Sequence, residues 1–404
     1  MTKVRQLPYG EKAESALNVR LIMEEASRCL LCEDAPCSHD CPAGTDPGKF
    51  IRSIRFKNFK GAAKTIRTNN ILGATCAEIC PQERLCEKAC SRCGIDKPIQ
   101  IGRLQAFAME QEKMFKMKVL EAAPANGKKV LCIGAGPSSL TVAAELAKLG
   151  TDVTVVDENE KAGGILRYGI VPSRLSDEII DQDIDVIKSL GVKFDMNKRV
   201  ERADIEKLAK SYDAIFVGVG LSASKMIPNL KGAELKGCDT ALSFLKRARS
   251  NNGKIESLGR VVIIGGGDVA MDCASTAKQL GADSVYVSFI ETMETMPANK
   301  KELDYIVDLG VPVIPAFKPV EVTGGDKAKS VKFVSMDGAS NMELAADTVI
   351  FAVGQKASDD FNGLKADGNV FIGGDFSYGG RTVVEAVKSG KENAQAIAKF
   401  LHIV

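Results

Sequence analysis

The sequence has almost no charge imbalance: 54 Lys and Arg stand against 52 Asp and Glu, a net charge of +2 over 404 residues. That excludes a general electrostatic pull toward nucleic acid or an acidic membrane. No uninterrupted apolar run approaches the roughly 20 residues of a membrane span. The opening stretch, residues 1–20, has no apolar core of a signal peptide, so a cytoplasmic chain is expected. There are only two histidines, His39 and His402, and neither has a catalytic-looking context; no catalytic side chain is expected. No low-complexity segment occurs. A hydrophobic content of 45% with 26% charged residues is a globular composition, and the length suggests two to three domains.

Cysteine is abundant and clustered. Nine of the 12 fall between Cys29 and Cys93. In a reducing compartment such clustering points to metal rather than disulfides. Residues 25–42, EASRCLLCEDAPCSHDCP, carry Cys29, Cys32, Cys37 and Cys41, the last followed by Pro42. Residues 76–90, CAEICPQERLCEKAC, carry Cys76, Cys80, Cys86 and Cys90. Runs of this kind, with Cys-Pro at the end, suit iron-sulfur clusters, and the last cysteine of a run often serves the other cluster. Zinc is the competing metal, but zinc carries no electrons. Cys132, Cys238 and Cys273 are scattered and read as small buried hydrophobes.

The chain's plan changes near residues 117–128, a linker with Pro124 and Gly127. Before it lie short helices, one expected to start at Asp46 as N-cap with Pro47 in its first turn. After it strands and helices alternate. Residues 130–136 read as a buried strand with a glycine turn, 137–150 as a helix and 153–157 as the next strand. The same plan returns at 260–267, 268–280 and 284–289. Such units imply parallel pairing with right-handed crossovers. Strands at 348–354 and 369–375 and a helix at 382–401 follow. Both strands are expected to complete the first unit's sheet, with the second unit as an insertion.

Each unit carries a dinucleotide turn. In the first, Gly134, Ala135, Gly136, Pro137 and Ser138 open a helix, and Asp157 ends the next strand. Gly134 permits the turn, Gly136 lets a pyrophosphate approach, and Asp157 would accept from ribose hydroxyls. Gly164 follows shortly after the acid. Gly374 and Asp375 end a late strand, and Thr382 and Val383 open a helix whose N-terminus could stabilise negative charge on a reduced flavin. This order resembles two-dinucleotide flavin reductases, which places FAD here. In the second unit Gly265, Gly267, Asp268, Val269 and Ala270 form the turn, with Gly354 later in the chain, and the nicotinamide cofactor is expected there. Related NADPH-dependent chains carry paired arginines shortly before Met-Pro-Ala. Here, ahead of Met296, Pro297 and Ala298, the pair is Ile290 and Glu291. A carboxylate suits a free 2′-hydroxyl and would repel a 2′-phosphate, so NADH is expected.

Residues 25–63, the second cysteine run and the segment IGRLQ at 101–105 together resemble the N-terminal module shared by dihydropyrimidine dehydrogenases and glutamate synthase small subunits. The likeness spans almost the whole chain and is greatest to the NAD-dependent small subunits of bacterial dihydropyrimidine dehydrogenases. It implies crossed ligation of two 4Fe-4S clusters. Cys29, Cys32 and Cys37 would join Cys90, while Cys41, Cys80 and Cys86 would join the side chain of Gln105. Cys76 and Cys93 would remain outside, with Cys93 the substitute for Gln105. The segment around Arg174 departs from the relatives at Pro172 and Ser176 but retains Arg174, expected near a cofactor.

The fold class expected is therefore α/β: two Rossmann-like dinucleotide-binding domains, with an NAD domain inserted in an FAD domain, plus an N-terminal α-helical domain with two 4Fe-4S clusters. The domains are read as 1–120, then 121–226 with 356–404, and 227–355. The resemblance implies an electron-input subunit that passes reducing equivalents from NADH through FAD and the clusters to an FMN-containing large subunit, which reduces uracil or thymine to the 5,6-dihydropyrimidine. Competing readings are a glutamate synthase small subunit or an NADH:ferredoxin- or sulfide-type reductase on the same scaffold. From another class comes a non-catalytic zinc- and NADH-binding regulator.

Overall fold

The computed structural model describes residues 8–11, 18–361 and 363–404. Most of the opening stretch, read above as lacking a signal sequence, lies outside the described residues. Among the described residues no helix is long and apolar enough to cross a membrane.

The N-terminal module is helical: α1 (Val19–Ser27), α2 (Pro36–His39), α3 (Pro47–Arg55), α4 (Phe59–Asn69), α5 (Gly73–Ile79) and α6 (Ile101–Met114). Short polar residues set the starts. Asp46 accepts from the Lys49 N–H at 3.1 Å ahead of Pro47, as the sequence indicates, and Asn58 accepts from the Gly61 N–H at 2.8 Å. Phe50, Ile51, Ile54, Ile66, Leu104 and Phe107 form the module's core, and Phe59 meets Phe107 edge-on. Each such side chain contributes roughly 1.5–3 kcal/mol on burial.

The first α/β sheet is built from β1 (Lys129–Ile133), α7 (Pro137–Lys148), β2 (Asp152–Val156), α8 (Ile165–Tyr168), α9 (Asp177–Ser189), β3 (Lys193–Asp195), α10 (Ile205–Ala209) and β4 (Ala214–Val217). The chain then makes a second set: β5 (Ala223–Ser224), β6 (Cys238–Thr240), α11 (Ala241–Ser250), β7 (Arg260–Ile264), α12 (Asp268–Gln279), β8 (Ser284–Ser288), α13 (Lys300–Asp308), β9 (Val313–Ile314), β10 (Phe317–Gly324), β11 (Ala328–Ser335), β12 (Asn341–Ala345), β13 (Thr348–Phe351) and β14 (Gln355–Lys356). It returns with β15 (Val370–Ile372), α14 (Asp375–Tyr378) and α15 (Val383–Phe400).

Two five-stranded parallel sheets result, β15-β4-β1-β2-β3 and β6-β13-β7-β8-β9. In each, the strand order reverses beside the strand that carries the glycine turn, the switch point where such sheets bind ligands. One expectation is corrected here. Only β15 joins the first sheet; β13 pairs with β7 and β6 in the second. Thr-Val-Ile-Phe is a short, wholly buried strand that reads the same in either parallel sheet, so its partner is decided by long-range pairing. The antiparallel meander β10-β11-β12 is likewise an element the sequence reading did not single out.

The chain divides into two compact units. One holds Tyr168–Arg174 and Ser222–Lys356 with the described residues 8–11. The other holds the helical module, the first α/β sheet and the C-terminal helix.

Candidate cofactor sites

The two cysteine runs close around two separate cavities. Cys29, Cys32, Cys37 and Cys90 line one, with Leu30, Ile99 and Arg92. Cys41, Cys80, Cys86 and Gln105 line the other, with Cys76, Asn70 and Val384. The crossing is produced by the fold. The first run leads through α2 into α3, while the turns after α5 carry Cys86 to the second cavity and Cys90 to the first.

The donor set fits a cluster better than a single ion. Among the described residues no Cys, His, Asp or Glu side chains group closely enough to hold one metal ion; tetrahedral zinc needs sulfur at about 2.3 Å from a single centre. The thiols ring a space instead. Their surroundings disfavour bare thiolates. Burial first, then the facing Cys90 and Cys29, push Cys37 up to about 11. Cys86 is raised by burial and by Cys41, and Cys80 by its hydrogen bond to Cys76 and by burial. A cationic iron core held by these residues would offset the burial and mutual repulsion that disfavour their thiolates.

Gln105 is buried, and its amide donates to the Gly73 carbonyl at 2.7 Å. That bond fixes the orientation of the side chain at the cavity wall. The reserve residue differs from the expectation. Cys93 is exposed, with its sulfur near the Glu87 and Lys88 carbonyls, and lines neither cavity. Cys76 is the additional thiol in the second cavity. Its spacing to Cys80, four residues along one helix face, was the available signal.

At the first dinucleotide turn, Gly134 has φ +94°, and a Cβ there would lie 2.6 Å from the Gly218 carbonyl oxygen. A Cβ on Gly136 would meet nothing within 4 Å, so the space over the turn is open where α7 presents its N-terminus. Asp157 directly follows β2; one oxygen accepts from the Ala135 N–H at 2.7 Å and the other from the Asn159 N–H at 2.8 Å. The two later glycine segments converge on this turn. A Cβ on Gly164 would come within 2.8 Å of the Gly136 Cα, and one on Gly374 within 2.9 Å of the Ser138 Cβ. The Ser138 hydroxyl is buried without a partner. Pro137 occupies the first turn of α7. Burial pushes the Asp375 carboxyl up to about 6, opposed by the Arg381 N–H. Thr382 caps α15 in a reciprocal pair with Glu385, and Val383 is the first residue of that helix. Open space, an orphaned hydroxyl and converging glycines fit FAD.

The second turn repeats the geometry. A Cβ on Gly265 would lie 2.3 Å from the Ala352 carbonyl oxygen, while one on Gly267 would meet nothing within 4 Å. Ala270 is fully buried beneath the turn and Val269 half-buried beside it. Asp268 accepts from the Asn299 N–H at 2.6 Å, so its carboxylate braces the neighbouring loop. Gly354, at φ +107°, accepts from the Lys225 N–H at 2.9 Å. Glu291 bends over the turn to within 3.1 Å of where a Gly266 Cβ would sit, and its Oε2 is buried without a hydrogen-bond partner. An unpartnered carboxylate oxygen three residues beyond β8 fits a ribose hydroxyl.

Arg174 is committed elsewhere than expected. Its Nη1 bonds both oxygens of Asp272 at 2.9 Å, and its Nε lies 3.2 Å from Glu302. Burial pushes Asp272 up to about 6 against the pull of that guanidinium. With both acids engaged, Arg174 braces α12 and α13 rather than standing free for a cofactor. Ser176, in the departing segment, is the N-cap residue of α9.

Comparisons with known proteins show the family. Residues 8–117 match the family described as dihydropyrimidine dehydrogenase domain II, 4Fe-4S cluster. Residues 128–390 match the pyridine nucleotide-disulphide oxidoreductase family. The NAD-dependent dihydropyrimidine dehydrogenase subunit PreT of Salmonella typhimurium is 44% identical over 411 residues, covering 98% of each chain. That of Escherichia coli K12 is 43% identical with the same coverage. Among solved structures, FprA from Mycobacterium tuberculosis aligns with a TM-score of 0.59 at 18% identity, over 69% of this chain and 85% of that one. Thioredoxin reductase from T. acidophilum aligns at 0.51 and 18%, over 67% and 98%. These two likenesses show the α/β fold. The chain belongs to the family of NAD-dependent dihydropyrimidine dehydrogenase PreT subunits, oxidoreductases that join an N-terminal 4Fe-4S domain to a pyridine nucleotide-disulphide oxidoreductase domain.

Proposed function

We propose that this chain is the electron-input subunit of an NAD-dependent dihydropyrimidine dehydrogenase, delivering reducing equivalents from NADH to an FMN-containing partner subunit that reduces uracil or thymine. The observation that carries the reading is the pair of cysteine-ringed cavities built into the same compact unit as the first dinucleotide turn.

The cofactors supply the chemistry: NADH a hydride, FAD the conversion of a pair of electrons to single ones, and 4Fe-4S clusters one-electron carriage. The chain's own residues position them. Cys29, Cys32, Cys37 and Cys90 hold the first cluster; Cys41, Cys80, Cys86 and Gln105 hold the second. The turns at Gly134–Gly136 and Gly265–Gly267 admit pyrophosphates to helix N-termini. Asp157, Ser138 and Asp375 face the FAD site. Glu291 accepts from the adenosine ribose 2′-hydroxyl and repels a 2′-phosphate, which selects NADH. The N-terminus of α15 favours the anionic form of the flavin.

The test is reconstitution. The anaerobic holoprotein, mixed with its FMN-containing partner subunit, is expected to support NADH-dependent reduction of uracil that neither subunit supports alone. Activity with glutamine and 2-oxoglutarate in place of uracil, through a glutamate synthase large subunit, would overturn the reading.

A further inference from the structure

Helix α15 touches both kinds of site in its unit. It opens at Thr382, a few residues beyond Asp375, and sends Val384 into the wall of the second cysteine cavity. Seven residues further along, two turns on the same face, stands Lys391. Its ammonium donates to the Ala43 carbonyl at 2.7 Å and to the Asn69 carbonyl at 2.9 Å. Ala43 lies two residues past Cys41, and Asn69 immediately precedes Asn70; Cys41 and Asn70 both line the cavity. The two carbonyls therefore hold a half-buried cation against the segments that carry Cys41 and Asn70, and a Cβ on Gly44 would sit 3.8 Å from it.

Among the described residues no carboxylate makes a contact ion pair with this ammonium. The charged groups that face it are Glu145, Lys148 and the thiol of Cys41. Glu145 is itself bound to Lys148 at 2.6 Å, so that pair is close to neutral. The charge of Lys391 is left acting on the second cavity. A fixed cation favours whichever redox state carries more negative charge, and reduction adds one electron to the site.

We infer that Lys391 raises the reduction potential of the second cluster, the one at the site walled by α15. The inference rests on the two-cluster reading. Lys391 touches no proposed ligand; it is a positioning residue whose charge acts across the loop that carries Cys41.

The test is an EPR-monitored potentiometric titration of the anaerobic holoprotein. The second cluster's signal is assigned by the change that Gln105→Glu produces in it. Lys391→Met and Lys391→Gln are expected to disfavour reduction of that cluster about tenfold, a drop of ~59 mV for one electron. The first cluster's potential is expected to stay where it is. Lys391→Arg keeps the charge and is expected to keep the potential. Lys391→Gln retains a donor for the two carbonyls, so it separates loss of charge from loss of the tie. An unchanged second-cluster potential in Lys391→Gln, or equal shifts of both clusters, overturns the inference. Iron and sulfide for one cluster only in the unsubstituted protein would overturn the two-cluster reading, and the inference with it.

Discussion

Asp183, on helix α9 of the first α/β domain, accepts the backbone N–H of Thr75 at 2.8 Å, in the first turn of the helix that carries Cys76 and leads to Cys80. The same carboxylate accepts from the Ala74 N–H at 3.2 Å and bonds the guanidinium of Arg67. Arg67 in turn bonds both oxygens of Glu112 on α6. All three charged side chains are buried. One ionic network thus fixes α4, α5, α6 and α9, and sets the position of the second cysteine cavity against the first sheet.

Removing the centre of that network leaves two buried carboxylates without a counter-charge, and breaking such a pair costs about 3–5 kcal/mol. Arg67→Met is expected to destabilise the holoprotein by that order in denaturant unfolding and to hasten iron loss. A destabilisation below about 1 kcal/mol, the range of a surface pair, would show that the network does not organise the module.

The ligand assignment separates Gln105 from Cys76. Cys76→Ser is expected to leave the iron and sulfide content unchanged. Gln105→Ala is expected to diminish it, and Gln105→Glu to keep the second cluster with an altered EPR signal. The reverse pattern, with iron lost in Cys76→Ser and retained in Gln105→Ala, would move the fourth ligand to Cys76.

Glu291 has a buried, unpartnered carboxylate oxygen, proposed above as the acceptor for the ribose 2′-hydroxyl of NADH. A hydrogen bond to a charged group contributes about 1.5–3 kcal/mol. Glu291→Ala is therefore expected to lower kcat/KM for NADH by roughly 10- to 100-fold and to narrow the preference over NADPH. Steady-state kinetics with an artificial acceptor measure both. An unchanged NADH/NADPH ratio would remove Glu291 from the site.

The Asp375 carboxyl is raised to about 6 by burial. Above that pH the carboxyl is ionised, and the proposed acceptor for a flavin hydroxyl is lost as pH falls through that value. FAD affinity is expected to weaken between pH 7 and pH 5. Asp375→Asn is expected to bind FAD weakly at both pH values, with the pH dependence gone. Fluorescence titration of released FAD reads this directly; a variant with the unaltered profile would contradict the assignment.

Both dinucleotide turns were legible in the sequence because glycine reports a backbone requirement locally: Gly134 and Gly265 would each drive a Cβ into a carbonyl oxygen of a neighbouring strand end. The allocation of Cys90 and Cys86 to different clusters came from family resemblance; in the structure Cys90 lines the first cavity and Cys86 the second. The partner of β13 was not legible, since four buried apolar residues suit either parallel sheet. Nor were the commitments of Arg174 to Asp272 and of Lys391 to Ala43, which span 98 and 348 residues. Such pairs leave no periodic trace in one sequence.

The most direct test of the account is the visible spectrum of anaerobically purified protein before and after NADH, with NADPH in parallel. Flavin and iron-sulfur absorption that bleaches rapidly with NADH and slowly with NADPH is the predicted result. A preparation kept anaerobic that shows no iron-sulfur absorption would contradict the cluster assignment and leave a zinc-bearing flavoprotein in its place.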